Sequence, residues 1–184
     1  MDHYIEIRVL ADPEFSNAVL MNALFAKLHR ALVEVGQGEL GISFPKAGTS
    51  LGDRLRIHGK QAALTRLMSL PWLKGLRDYT ETTPLLVVPD DCQYRVVQRR
   101  QVKSSAERLR RRSVAKGWLT ETQAIERIPD SKEQRIKSPF IQLNSASSGQ
   151  TFRLFIHQNK PQEEPQSGVF TAYGLSNQAT IPWF

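Results

Sequence analysis

Alternation and helical spacing divide the chain into two differently patterned halves. Residues 4–9, YIEIRV, place Ile5, Ile7 and Val9 on one side and Tyr4, Glu6 and Arg8 on the other, the pattern of a half-buried strand. From Asn17 to Val35 apolar residues recur at helical spacing, through Leu20, Leu24, Leu28, Ala31, Leu32 and Val35, and Gly36 supplies a stop. ELGISFP and DRLRIHG predict two strands around a loop holding Pro45, Gly48 and Gly52. KQAALTRLMSL predicts a short helix and PLLVVP a buried strand. The order β-α-β-β-α-β is that of a ferredoxin-like half. That architecture serves many functions and narrows little.

After Pro89 the texture changes. QYRVVQRRQVK alternates like an extended strand, which puts Arg99, Gln101 and Lys103 on one side. Ser104 with Glu107 has the spacing of a capping box opening an arginine-rich helix, and Gly117 closes it. Thr120 with Gln123 forms a second such box, and Pro129 ends that helix. FIQLN, the small-residue turn SASSGQ and TFRLFIH predict a hairpin. KPQEEPQSG reads as a polar loop, VFTAYGLS as a last strand and IPWF as a packed tail. The fold class expected is α+β: a ferredoxin-like domain over 1–90, then a domain over 91–184 with the arginine-rich helix and small antiparallel strands.

Charge sharpens this division. The chain has 184 residues and a formal net charge of +7. Residues 1–90 carry ten basic and ten acidic residues, whereas 95–116 carry nine basic residues against Glu107 alone. The basicity is therefore local. At about 100° per residue, Arg108, Arg111, Arg112 and Lys116 share one helix face, with Ala106, Leu109 and Ser113 opposite. Like charges side by side repel, so a one-sign run of this density favours a polyanion over a merely solvated face. Arginine clusters on phosphate supply affinity and salt dependence rather than sequence choice. Arg99 and Gln101 are suited to reading guanine and adenine edges, but by their spacing alone they read more simply as ordinary edge-strand polar residues. The two capped helices also leave a helix-turn-helix DNA binder open, although there the recognition helix is normally the second.

Candidate chemistry is sparse. A single cysteine, Cys92, precludes an intramolecular disulfide and fits a reducing cytoplasm. No signal peptide or membrane span is evident in the sequence. His3, His29, His58 and His157 are scattered, and no carboxylates group at ligand spacing, so no metal or cofactor is expected. The phosphate-binding loop, the dinucleotide fingerprint and the serine nucleophile elbow are absent. Metal-free acid–base chemistry is the economical option. His29, at the edge of the first helix's apolar stripe and one turn from Phe25, is a packed residue or an acid–base group. SASS is a plain turn or part of a site, and Tyr173 by itself reads as core packing.

Together these segments resemble the CRISPR-associated endoribonuclease of type I-F (Ypest subtype) systems, which processes precursor CRISPR RNA. The resemblance runs through MDHYIEIR, LFAKLH, KSSAERLRRR, RIPD, GQTFRLFI, YGLS and PWF, in that order along the whole chain. It implies binding of a CRISPR-repeat RNA hairpin, with the arginine-rich helix in the stem's major groove. Arg99 and Gln101 would read bases at the bottom of the stem, beside Lys103. Phe152 would stack on the terminal pair, while Arg108, Arg111 and Arg112 would hold phosphates and groove edges. His29 would act on the ribose 2′-hydroxyl, Ser145 would hold that ribose with Ser147 as helper, and Tyr173 would orient the histidine.

The implied reaction is attack of the 2′-oxygen on its own phosphate, without metal, leaving a 2′,3′-cyclic phosphate. Implied partners are the guide RNA, on which the nuclease stays, and the other subunits of the type I-F complex, with no membrane and no small-molecule cofactor. Two departures stand out: Ala115, Lys116 and Gly117 replace further arginines, and Ala146 lies between the two serines. The residues alone leave open a non-catalytic nucleic-acid-binding module, for an RNA hairpin or for duplex DNA.

Overall fold

The computed structural model describes residues 1–101, 106–129, 137–145 and 149–184. The elements run β1 (His3–Val9), α1 (Asn17–Val35), β2 (Gly41–Ser43), β3 (Arg54–Gly59), α2 (Gln61–Met68), a 3₁₀ turn (Arg77–Tyr79), β4 (Thr80–Thr82) and β5 (Leu86–Val87). They continue with β6 (Gln93–Arg100), α3 (Ala106–Ala115), α4 (Glu121–Arg127), β7 (Phe140–Asn144), β8 (Thr151–Gln158) and β9 (Thr180–Trp183). By contact the chain forms two units, Met1–Arg99 with Ser138–Phe184, and Arg100–Lys137. Residue 90 falls within the first of these. Among the described residues no helix is long and apolar enough to cross a membrane.

The first unit holds the ferredoxin-like order. Its N-terminal sheet runs β2-β3-β1-β4, with β5 also on β1, and all of these pairs are antiparallel. Alternation along β1 does what the sequence dictates: Ile5, Ile7 and Val9 are buried, and Ile5 and Ile7 lie opposite Ile57 and Leu55 of β3. Helix α1 starts at Ser16, whose hydroxyl accepts from the Val19 amide at 3.4 Å, and buries Leu20, Leu24, Phe25, Leu28 and Leu32. The other face of the sheet is polar yet covered. Buried Glu6 accepts from Arg54 at 2.6 Å and from Arg56 at 2.8 and 3.1 Å. Arg56 also donates to the Phe184 carbonyl at 3.0 Å and lies 4.1 Å from that ring's centroid. Beside them His58 is fully buried and shares a 2.8 Å hydrogen bond with the Ser43 hydroxyl.

The second sheet of this unit runs β7-β8-β6-β9. The β7–β8 hairpin turns Ile141, Leu143, Leu154 and Ile156 into the same apolar core as α1. Asn22 ties the layers together by accepting the Gln142 amide at 2.9 Å.

Two expected strands differ from the structure. PLLVVP is not a buried strand: Pro84 and Pro89 confine it to Leu86 and Val87, and both are exposed. VFTAYGLS is not a strand, because Gly174 at φ +69° turns the chain and Thr171 bonds the Leu175 and Gly174 backbones instead. The last strand is β9, which starts at Thr180 and takes in Ile181, Pro182 and Trp183 of the predicted tail IPWF. It carries Pro182 opposite Tyr94 at the sheet's edge, where a missing amide donor is tolerated.

The second unit is a pair of short helices, α3 and α4, with Ala106 and Ala124 buried. Gly117 at φ +69° closes α3: its amide donates to the Val114 carbonyl at 2.9 Å, and the Trp118 amide to that of Ser113 at 2.9 Å. The Thr120–Gln123 capping box of α4 forms in both directions. The proposed cap at Ser104 lies outside the described residues.

Candidate active site

His29 comes from the last third of α1, half-buried at the margin of the apolar stripe that fastens the helix to the sheet. Its Nδ1 lies 2.8 Å from the Ala172 carbonyl oxygen. A carbonyl can only accept, so Nδ1 carries the proton and donates. In the neutral ring this leaves Nε2 unprotonated and able to accept a proton. The ring plane is fixed as well. Tyr173 stacks on the imidazole with centroids 4.2 Å apart and planes 13° from parallel, and Phe25 extends the stack on Tyr173 at 6.4 Å and 11°.

The segment that holds His29 is itself held by a tight turn. The Gly174 amide donates to the Thr171 carbonyl at 2.8 Å, and the Ile42 amide to the Gly174 carbonyl at 3.0 Å. A Cβ at Gly174 would stand 2.7 Å from Ile42 Cγ2, so only glycine allows both the turn and this approach to β2. The sequence pairs Tyr173 with Gly174 for this reason. The glycine makes the turn that aims the tyrosine and the preceding carbonyl.

Ser145 follows β7 at the neck of the hairpin turn. Its amide donates to the Gln150 carbonyl and its carbonyl accepts from Gly149, both at 2.9 Å. By strand parity it continues the inward series Ile141, Leu143. Asn22, which fastens β7 to α1, stands seven residues before His29, hence on the same side of that helix. Phe152 is opposite Leu143 on the same hairpin and is half-buried against the core. Ser147 lies outside the described residues.

The basic candidates divide by role. Arg99 is exposed at the end of β6 and Gln101 just beyond it, while Lys103 lies outside the described residues. On α3, Arg108, Arg111, Arg112 and Lys116 are exposed. Arg110 is half-buried and donates from Nε to the Ile128 carbonyl at 2.7 Å, which ties α3 to the end of α4. Arg110 is thus used to build the unit. Among the described residues no three His, Cys, Asp or Glu side chains gather as metal ligands.

The family model described as CRISPR-associated protein (Cas_Csy4) matches residues 4–184. The chain belongs to the Cas_Csy4 family. It is similar over its whole length to two CRISPR-associated endonucleases, Cas6/Csy4, each of which is also covered over its whole length. One, from Escherichia coli (strain UTI89 / UPEC), is 55% identical over 184 residues. The other, from Pseudomonas aeruginosa (strain UCBPP-PA14), is 48% identical over 187 residues.

In this Csy4-family chain, sequence reading missed the Ala172 carbonyl, since a backbone acceptor leaves no residue-type signal. It also missed Asn22, an ordinary polar position on the helix until Gln142 is placed beside it. For Asn22 a signal existed. A polar residue seven positions before His29 lies on the same side of the helix, and it borders the stripe of Met21, Phe25 and Leu28.

Proposed function

We propose that this CRISPR-associated endonuclease is a metal-independent endoribonuclease that binds a CRISPR-repeat RNA hairpin and cuts once at its 3′ base. The observation that carries the reading is the His29 tautomer, fixed by the Ala172 carbonyl and by stacking on Tyr173. Unprotonated Nε2 takes the proton of the ribose 2′-hydroxyl, and the 2′-oxygen attacks the adjacent phosphorus. The P–O5′ bond breaks, the 5′-oxygen takes a proton from water to leave as a 5′-hydroxyl, and a 2′,3′-cyclic phosphate remains. The nucleophile belongs to the substrate, so the chemistry asks of the protein only a base, an aligned ribose and an excluded alternative geometry.

Ser145 and Ser147 hold the ribose in this reading, and Tyr173 keeps the imidazole plane. Residues 1–90 supply the scaffold and His29, and 91–184 supply most of the RNA surface. Arg99, Gln101 and Lys103 meet bases and phosphate at the foot of the stem, and Phe152 stacks on its last pair. Arg108, Arg111 and Arg112 hold the groove. The product hairpin stays bound as part of the guide RNA of a type I-F complex in the cytoplasm.

The test is cleavage of a type I-F repeat hairpin in EDTA by wild type and His29→Ala. We expect one cut ending in a cyclic phosphate, slowed by about 10²-fold or more in the variant with hairpin binding kept. A hairpin with a single 2′-deoxyribose at the cut should bind and stay whole. Tight binding with no cut by either protein would leave a hairpin-binding module without catalysis. Cutting that EDTA abolishes would overturn the metal-free mechanism.

A further inference from the structure

The most exposed tryptophan of the molecule stands just beyond its most basic segment. Trp118 keeps 63% of its surface open to solvent. Lys116 Nζ lies 4.8 Å from the centre of its ring. The other two tryptophans are at most half-exposed: Trp72 is buried, and Trp183 packs in β9 under Arg95 at 3.8 Å.

The position of Trp118 is set by the end of α3. With Gly117 in the left-handed region, the amide pattern onto Val114 and Ser113 is that of a Schellman motif. In that motif the residue after the glycine normally packs an apolar side chain on the residue that accepts its amide. Here that residue is Ser113, which offers no apolar surface. The backbone of Trp118 is therefore anchored while its indole has no place in the unit's small core. An exposed amphipathic ring on an anchored backbone, with a cation over one face, is a stacking platform.

Charge indicates what stacks on it. Lys116 carries the exposed face of Arg108, Arg111 and Arg112 to the last residue before Gly117, so Trp118 adjoins the end of a one-sign stripe. The unit also exposes Leu109 and Ile125, but a protein partner recognised by apolar burial would bring no counter-charges to the adjoining stripe of like charges. An unpaired nucleobase brings both a π-face for the ring and a phosphate for Lys116.

We propose that Trp118, with Lys116, stacks an unpaired base in the apical loop of the RNA hairpin. This rests on the RNA reading above, in which Gln101, ahead of α3, meets the foot of the stem. Helix α3 is about 15 Å long at 1.5 Å per residue, and along the chain Trp118 follows the helix end farther from Gln101. The site makes the loop, and not only the stem, part of what is recognised. It stands where the arginine stripe stops, so aromatic stacking takes over from phosphate contact at that point.

The experiment is a double-mutant cycle on binding. Wild type, Trp118→Ala and Trp118→Phe are titrated with a type I-F repeat hairpin blocked by a 2′-deoxyribose at the cut. Each is also titrated with the same hairpin whose loop nucleotides are abasic. We expect Trp118→Ala to weaken the normal hairpin about tenfold, abasic loops to weaken wild type equally, and the two losses not to add. Trp118→Phe should recover most of the affinity. A loss in Trp118→Ala that is the same for normal and abasic loops overturns the proposal. So does unchanged binding of every hairpin, which would leave the ring to a protein partner. If wild type fails to prefer the hairpin to a scrambled strand, the RNA reading itself falls, and that outcome is read from wild type alone.

Discussion

At the scale of single residues, the arrangement around His29 separates two functions of an aromatic neighbour. Tyr173 contacts the imidazole by its face, 13° from parallel, and its backbone amide joins the Thr171 hydroxyl at 3.3 Å. The stack needs the ring and not the phenolic oxygen. Tyr173→Phe should therefore keep most of the single-turnover cleavage rate, whereas Tyr173→Ala should lower it about tenfold through a mobile imidazole. Hairpin affinity should change little in either variant, and parallel binding and rate measurements separate the two. This part of the site was half legible. A tyrosine before a glycine signals a turn, but the acceptor that fixes the tautomer is the carbonyl of Ala172, which any residue would provide.

Among the elements, α3 shows why a count of arginines misleads. Arg111 and Arg112 are exposed, but Arg110 is bonded to Ile128. Arg111→Ala and Arg112→Ala should each weaken hairpin binding and lower the slope of log affinity against log salt by roughly 0.7–0.9. Arg110→Ala should instead loosen the helix pair, seen as faster amide exchange in α4 without RNA. Salt titrations of the three variants distinguish these outcomes. Helical periodicity made the stripe and α1 readable, because a 3.6-residue period over several turns has few alternatives. Short strands gave less. The run LLVV looks like core, yet the flanking prolines leave two exposed residues. IPWF looks like a tail, yet β9 takes in Pro182 because it lies at a sheet edge. Edge position is a property of the sheet and is not written in the strand's own residues.

Considering the molecule as a whole, the covered polar face of the N-terminal sheet makes stability depend on pH. Burial, with the nearby Arg56 charge second, holds the His58 pKa well below the ordinary 6.5. The unfolded chain therefore binds a proton near pH 6.5 that the folded chain refuses. Stability from this residue is complete above pH 6.5 and falls as the pH drops below it, at up to about 1.4 kcal/mol per unit. Denaturant midpoints between pH 5 and 8 should show this decline in wild type and a shallower one in His58→Gln. The neighbouring Arg56, Glu6 and Phe184 groups are unchanged by that substitution, so the difference between the two curves reports His58.

The chain leaves the first unit after Arg99 and rejoins it at Ser138, so residues 100–137 form an excursion from a body assembled by both flanks. Such an insertion can change its sequence without repacking the body that carries it. Of the RNA surface proposed above, Arg108, Arg111 and Arg112 fall inside this excursion, and Arg99, Phe152 and the His29 stack fall outside it. Grafting 100–137 between relatives should therefore show how much of the hairpin preference travels with the excursion, read as the affinity of the chimaera for each parent's repeat.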